Sequence, residues 1–257
     1  MRFQPVSNEK WPNAQQRLLL SAALTSGDSG LEAWKQWSGT NDIKSIDSAS
    51  FFILPQVYSN LKEFGCDIPE YHLIKGIYRW TWSQNQSTFA GLADMLRLLN
   101  KAHITTVVLK GIPLTRHYYK DFAVRMMKDA DVLVNVEDMP RVIATLQDSE
   151  WSQQERQPSE FLMPFLEAFH YIHPQWPMVD IHWRPFRLDT PAEAERKFWE
   201  NTLDDSVLGV PTRMPSATDL LLLACFHARK SDFHTTCRWV VDSMVLINEE
   251  RDLSLIH

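Results

Sequence analysis

Two aspartates, Asp129 and Asp131, stand two positions apart where a polar segment meets the apolar residues 132–134. The apolar run is typical of a buried β-strand. Because a strand turns alternate side chains to the same face, the two carboxylates are expected to point together at one end of the strand. Two like charges buried side by side are unfavourable unless a cation neutralises them. The pattern favours Mg²⁺, which takes carboxylate oxygens and usually keeps substrate phosphates as further ligands.

A lysine and a glycine upstream of the aspartates predict an anion site. Residues 105–109 are rich in β-branched side chains and predict a strand that runs into Lys110 and Gly111. A helix is expected over residues 112–119, and free N–H groups and the helix dipole attract anions at such a junction. Arg125 is expected either to hold a phosphate or to pair with a carboxylate such as Asp129.

A third carboxylate lies further along the chain. Residues 177–183 alternate polar and apolar side chains, which predicts another strand with Asp180 and His182 on one face. Asp180 is therefore a candidate third ligand of the cation. His170 and His173 complete a histidine cluster, but no cysteine is close in sequence and the spacing is not that of a zinc motif. We interpret His182 as a neighbour of the site and not as a zinc ligand.

The elements that must position these residues predict an α+β fold. Helical patterns fill residues 1–100, including a long stretch at 69–101 that we expect to be broken around 83–86. Strands and helices then alternate over residues 101–190, which predicts a small mixed β-sheet core flanked by helices.

Residues 191–257 predict a C-terminal helical region. It is expected to hold a short helix, a hairpin around Gly209 and two closing helices. The apolar residues 253–257 suggest that this region is truncated. The chain is thus expected to have three parts: helical at 1–100, an α/β core at 101–190, and helical again at 191–257.

The order and spacing of these motifs resemble those of a known family. A Leu-Lys-Gly turn, a tyrosine, an arginine, an Asp-x-Asp strand and a later Asp-Leu-His-Trp strand follow one another in the uncharacterised nucleotidyltransferase family of the DNA polymerase β superfamily. The present chain is similar over about residues 90–190. The matching positions are Lys110, Gly111, Arg125, Asp129, Asp131 and Asp180.

The resemblance implies a nucleotidyltransferase core and a metal-dependent reaction. A nucleoside monophosphate would pass from a nucleoside triphosphate such as ATP to a hydroxyl acceptor, and pyrophosphate would leave. The three aspartates would be catalytic and would hold Mg²⁺ in a two-metal site. The implied nucleotide contacts are Lys110, Gly111 and Arg125. The acceptor stays open: a small molecule, a protein hydroxyl or an RNA end.

Composition limits the partners that we expect. The chain has 257 residues, 44% hydrophobic and 23% charged, with a formal net charge of −6. Because it lacks a strongly basic balance, no DNA partner is expected. Three cysteines without a CxxC pair suit a reducing cytoplasm. No stretch approaches the roughly 18 apolar residues of a membrane span, so no membrane partner is expected.

Two alternatives stay open from the sequence. Lys110 stands where the wider superfamily often carries a hydroxyl that touches the nucleotide, which favours an inactive nucleotide-binding regulatory or assembly protein on the same scaffold. A metal-dependent phosphohydrolase would use the same carboxylates with water as the acceptor. A serine hydrolase, a P-loop protein and a dinucleotide-binding fold are not supported, because their glycine-rich motifs are missing from the sequence.

Overall fold

The protein has a mixed α+β architecture in a computed structural model that describes residues 12–154, 168–186, 191–229 and 237–250, without the side chains of Cys66 and residues 227–229. The α-helices are α1 (Ala14–Leu24), α2 (Asp28–Thr40), α3 (Ser48–Phe51), α4 (Leu54–Leu61), α5 (Tyr71–Lys101), α6 (Gly111–Pro113), α7 (Met139–Gln147), α8 (Ala192–Glu200), α9 (Ala217–Arg229) and α10 (Arg238–Glu249). The strands are β1 (Val107–Leu109), β2 (Ala130–Leu133), β3 (Ser152–Gln153), β4 (Ala168–Ile172), β5 (Val179–His182), β6 (Leu203–Val207) and β7 (Val210–Met214). The predicted α+β class is confirmed.

The described residues form two compact units. The first comprises residues 12–83, 115–126, 224–229 and 237–250, and the second comprises residues 84–114, 127–154, 168–186 and 191–223. The predicted three-part division of the chain stays a prediction, and the apolar residues 253–257 lie outside the described residues. No helix within the described ranges is long and apolar enough to cross a bilayer.

The first unit is helical and is built on well-defined helix ends. The Asn13 side chain accepts the Gln16 N–H at 2.9 Å while the Gln16 side chain accepts the Asn13 N–H at 3.0 Å, and this capping box fixes the start of α1. The apolar faces of α1, α2, α4 and α10 pack around fully buried side chains such as Trp34 and Leu54. The Trp34 indole N–H donates to the Pro69 carbonyl at 2.9 Å, so this large ring is buried without losing its hydrogen bond.

Helix α5 continues unbroken for 31 residues, so the predicted interruption around 83–86 is wrong. The polar residues there suggested a break, but one of them, Asn85, forms a hydrogen bond to another segment of the chain. Asn85 is fully buried, and its side-chain oxygen accepts the Met127 N–H at 3.2 Å. The helix propensity of these polar residues is low. A buried amide that accepts a backbone N–H nevertheless stabilises the helical conformation at this point.

The second unit is organised around a seven-stranded mixed sheet with the strand order β3-β4-β5-β2-β1-β7-β6. Strands β2 and β5 are parallel, as are β1 and β7, and the other neighbours are antiparallel. The hairpin predicted around Gly209 joins β6 and β7, and Leu208 and Gly209 have φ values of 47° and 79°. Such left-handed pairs suit the two-residue turns that match the twist of a hairpin.

One face of this sheet has an apolar patch beside Asp131, Asp180 and His182. Val107, Leu109 and Leu133 pack there against Phe198 of α8 and Leu223 of α9. This packing anchors the central strands β1 and β2. The side chains at the adjoining positions are therefore held by rigid strands and not by loops.

Candidate active site

Two aspartates face each other across the parallel pair β2 and β5. Asp131 of β2 is the register partner of Asp180 of β5, and Leu133 is the partner of His182. Paired residues on adjacent strands turn their side chains to the same face, and residues two apart along a strand also share a face. The fold therefore gathers Asp131, Asp180 and His182 in one place, although the sequence separates the first from the other two.

The three side chains converge closely. One ligand atom from each of Asp131, Asp180 and His182 lies within 4.8 Å of the others. The His182 Nε2 atom lies 2.9 Å from the Asp131 Oδ1 atom, and the Lys110 ammonium bonds to that same oxygen. Asp131 is only 7% exposed, so its charge is compensated almost entirely by protein groups.

Asp180 is satisfied less completely. Its Oδ2 atom lies 3.7 Å from the His170 Nε2 atom, which is beyond hydrogen-bond distance. Its Oδ1 atom is buried, and no hydrogen-bond partner for it lies within the described part of the chain. An orphaned carboxylate oxygen beside two other ligand atoms fits a divalent cation, because a metal bond would supply the missing partner.

Lys110 reaches the carboxylates from the end of β1. Its backbone has φ 50° and ψ −108°, an uncommon conformation for a residue with a side chain. Gly111 follows as the buried first residue of the short helix α6, and a π-helical turn at Leu114–Tyr119 continues it. The helix expected over residues 112–119 is thus a single α turn followed by a π turn. Backbone strain of this kind, which costs about 1–3 kcal/mol, often marks a functional position.

The charges of this site act on one another. Burial disfavours the charged forms of Asp131 and Lys110, but their mutual attraction outweighs burial, with help from His182 at Asp131. The pKa of Asp131 is therefore lowered and the pKa of Lys110 is raised. Burial, together with repulsion from Asp131 and Asp129, raises the pKa of Asp180 to about 7. Asp180 is the carboxylate of the group that binds a proton most readily.

The other two predicted site residues lie differently. Asp129 directly precedes β2 and is half-buried, and its charge acts on both Lys110 and Asp180, but the converging group found among the described residues does not include it. Arg125 belongs to the first unit. There its Nε and Nη2 atoms donate to the two oxygens of Asp242, both at 2.9 Å.

Two histidines that the sequence does not single out as ligands lie beside the aspartates. His182 is 8% exposed and belongs to the converging group, and His170 is the register partner of Asp180 on β4. The alternation of residues 177–183 was the signal that placed His182 on the face of Asp180. The pairing of β4 with β5, which brings in His170, has no comparable local signal.

Known proteins provide an independent comparison. Two solved structures of the antibiotic-resistance factor ANT(2″)-Ia are similar to this chain. The solution structure has 13% identity and a TM-score of 0.41, covering 65% of this chain and 91% of that chain. The crystal structure in complex with adenylyl-2″-tobramycin has 13% identity and a TM-score of 0.42, covering 63% of this chain and 88% of that chain.

The family comparison is more extensive. No curated protein matches the chain. The sequence profile described as uncharacterised nucleotidyltransferase matches residues 52–255, which is most of the chain and includes every residue of the converging group. The resemblance identified from the motifs is thus confirmed: the chain belongs to the uncharacterised nucleotidyltransferase family and is a nucleotidyltransferase.

Proposed function

We propose that the protein moves a nucleoside monophosphate from a nucleoside triphosphate to a hydroxyl acceptor in a metal-dependent reaction that releases pyrophosphate. The observation that carries this proposal is the pair of facing carboxylates on β2 and β5, with an orphaned oxygen on Asp180 and a lysine at Asp131. Family membership supports nucleotidyl transfer in general. The carboxylate pair supports the dependence on a divalent cation.

Asp131 and Asp180, together with Asp129, are proposed to hold Mg²⁺, with two ions in the complete site. When bound, the ions neutralise phosphate charge and lower the pKa of the acceptor hydroxyl. Asp129 directly precedes β2, and its charge acts on both Lys110 and Asp180, which supports its place beside the other two carboxylates. The orphaned oxygen of Asp180 supports its place in the ligand set.

Asp180 is also proposed to receive the proton of the acceptor. In the transfer step, the acceptor oxygen forms a bond to the α-phosphorus while the bond from that phosphorus to the pyrophosphate oxygen breaks. The acceptor proton passes to the Asp180 carboxylate. The pKa of about 7 belongs to the metal-free protein and would fall when a cation binds, so the position of Asp180 opposite Asp131 is what supports this role.

Lys110 and Gly111 are proposed to hold the phosphates that leave. The Lys110 ammonium already lies at the carboxylates, and the Gly111 amide begins the turn that follows β1. A cation at this point offsets the charge that develops on the leaving pyrophosphate. Arg125 stays a predicted nucleotide contact. In the structure its guanidinium forms an ion pair with Asp242.

The acceptor is proposed to be a hydroxyl on a small molecule, a protein or an RNA end. The formal net charge of −6 argues against a long nucleic acid, because the general phosphate attraction of such partners needs a basic surface.

Pyrophosphate release from purified protein tests the proposal. With Mg²⁺, a triphosphate and an accepted hydroxyl compound, we expect Asp131→Asn and Asp180→Asn to lower the rate by about 10²–10³-fold or more, because each removes a charge that acts in the transition state. Asp204→Asn is the matched control. It makes the same chemical change away from the carboxylate pair, at a side chain on β6 that is 100% exposed. Full activity in both site variants would overturn the assignment.

The alternative of an inactive nucleotide-binding protein predicts nucleotide binding without transfer. Calorimetry would then show binding of a triphosphate with Mg²⁺, but no acceptor would produce pyrophosphate release. The Lys110–Asp131 pair is the feature that favours this alternative, since it neutralises the carboxylate without an ion. Release of inorganic phosphate in place of pyrophosphate would identify the phosphohydrolase alternative.

A further inference from the structure

We propose that His182 is a direct ligand of the divalent cation, so that the site binds transition ions such as Mn²⁺ more tightly than Mg²⁺. This inference rests on the proposed function in that it places the ion at Asp131 and Asp180. It goes further by adding a nitrogen donor to a site that the sequence predicts to be made of carboxylates alone.

The distances fit a shared ion. The His182 Nε2 atom lies 2.9 Å from the Asp131 Oδ1 atom, and a ligand atom of Asp180 lies within 4.8 Å of both. Two adjacent ligands of an octahedral ion with bonds of about 2.1 Å are separated by about 3 Å. The nitrogen and the oxygen are thus already spaced as neighbouring ligands of one ion.

The position of His182 is fixed by strands on both sides. Its register partner on β2 is Leu133 and its register partner on β4 is Ala168. Leu133 belongs to the packed apolar patch, and the His182 side chain is only 10% exposed. An imidazole held in this way loses little conformational freedom when an ion binds, which favours direct coordination.

The hydrogen bonding around the two aspartates is uneven. Lys110 and His182 both bond to Oδ1 of Asp131, whereas Oδ1 of Asp180 is buried and has no partner within the described residues. An ion bound to Asp131, Asp180 and His182 would remove this imbalance. It would take the free lone pair of Asp180 and replace the lysine as the positive charge at Asp131.

A nitrogen ligand changes which ions are preferred. Mg²⁺ takes oxygen ligands almost exclusively, whereas imidazole is a common ligand of transition metals. The neighbouring His170 does not have this role, because its side chain is 40% exposed and its Nε2 atom lies 3.7 Å from the Asp180 Oδ2 atom. It offers a control that keeps the rest of the site intact.

Electron spin-echo spectroscopy of Mn²⁺ bound to the full chain tests the proposal directly. A coordinated imidazole nitrogen gives a ¹⁴N coupling, and we expect this coupling in the native protein and in His170→Gln, but not in His182→Gln. Titration should show that His182→Gln binds Mn²⁺ about tenfold more weakly or worse, while its affinity for Mg²⁺ falls by a clearly smaller factor.

Three results would overturn the proposal: no Mn²⁺ binding by the native protein, no directly bonded nitrogen in its spectrum, or a coupling that survives in His182→Gln. If His182 only orients Asp131, the spectrum of the native protein will show no directly bonded nitrogen. This measurement uses the native protein alone and does not depend on whether a variant folds. Pyrophosphate release separates this test from that of the proposed function. A protein that shows the coupling but no transfer keeps the histidine ligand and loses the proposed reaction.

Discussion

Asp131 keeps its charge in a nearly buried position because two donors share one of its oxygens. The Lys110 ammonium and the His182 ring both lie at Oδ1, and together they lower the pKa of this carboxyl despite its burial. Asp180, directly opposite, lacks such donors, and its pKa is raised to about 7. Two chemically identical side chains therefore differ in proton affinity because of their surroundings.

This difference predicts how stability depends on pH when no divalent ion is present. The pKa of Asp180 is 3.8 in a free side chain and about 7 in the fold, so between these values the folded state binds the extra proton. The free energy of unfolding must then fall as pH rises from about 4 to about 7. Because each pKa unit corresponds to about 1.4 kcal/mol, we expect a loss on the order of 2–4 kcal/mol in EDTA, measured by urea unfolding.

Asp180→Asn isolates this contribution from that of the histidines, which titrate in the same range. Between pH 5 and pH 7.5, which covers the upper two-thirds of the expected window, the variant should lose less stability than the native protein, and it should be the more stable of the two at the higher pH. Asp204→Asn, with its fully exposed side chain, should follow the native curve. Parallel curves for Asp180→Asn and the native protein would contradict the raised pKa.

At the scale of elements, the parallel pairing of β2 with β5 creates the site. Its register sets Asp131 opposite Asp180, and a slip of one residue would turn one carboxylate to the opposite face of the sheet. The apolar side chains of Leu109 and Leu133 hold β1 and β2 against α8 and α9. The packing of the sheet therefore determines the geometry of the carboxylates.

Helix α5 contributes a glycine that the second unit requires for packing. A Cβ atom added at Gly91 would lie 2.6 Å from the Trp176 Cβ atom. We expect Gly91→Ala to lower the free energy of unfolding by about 1–3 kcal/mol, although alanine is the better helix former. Thermal or urea unfolding measures the change.

Gly76 in the same helix is the matched control. Within the described part of the chain, no atom outside the local helix backbone lies within 4 Å of a Cβ added there, so Gly76→Ala should stabilise the protein by up to about 1 kcal/mol through helix propensity alone. A Gly91→Ala variant that is as stable as Gly76→Ala would show that Trp176 can move aside without loss.

The first unit contains a buried ion pair between Arg125 and Asp242, whose side chains are 8% and 5% exposed. The Tyr119 hydroxyl also donates to Asp242 at 2.7 Å. We expect Arg125→Met or Asp242→Leu alone to cost about 3–5 kcal/mol of unfolding free energy, because each leaves an uncompensated buried charge. The double variant should lose clearly less than the sum of the two, as measured by a double-mutant cycle. Additive losses would show that the pair does not act as a unit.

At the scale of the whole molecule, the sequence predicted those features that are encoded by local patterns of residues. An apolar run located β2, alternating residues located β5, the turn residues around Gly209 located a hairpin, and the order of the motifs identified the family. These signals are local, because side-chain period and turn chemistry follow from the backbone of each segment.

Features that depend on tertiary contacts were missed. The polar residues around Asn85 suggested a break in α5, but Asn85 is paired with the Met127 backbone in the fold. The ion pair of Arg125 with Asp242, more than a hundred residues away along the chain, was likewise not predicted. No local pattern specifies which distant acid a buried arginine will meet, or that His170 will lie beside Asp180.

A structure of the protein soaked with Mg²⁺ and a non-hydrolysable nucleoside triphosphate tests the central claim most directly. We predict metal density bound to Asp131 and Asp180, with the phosphates at Lys110 and Gly111 and the lysine released from Asp131. Triphosphate bound elsewhere, or an Asp180 carboxylate that stays without metal at a saturating Mg²⁺ concentration, would contradict it.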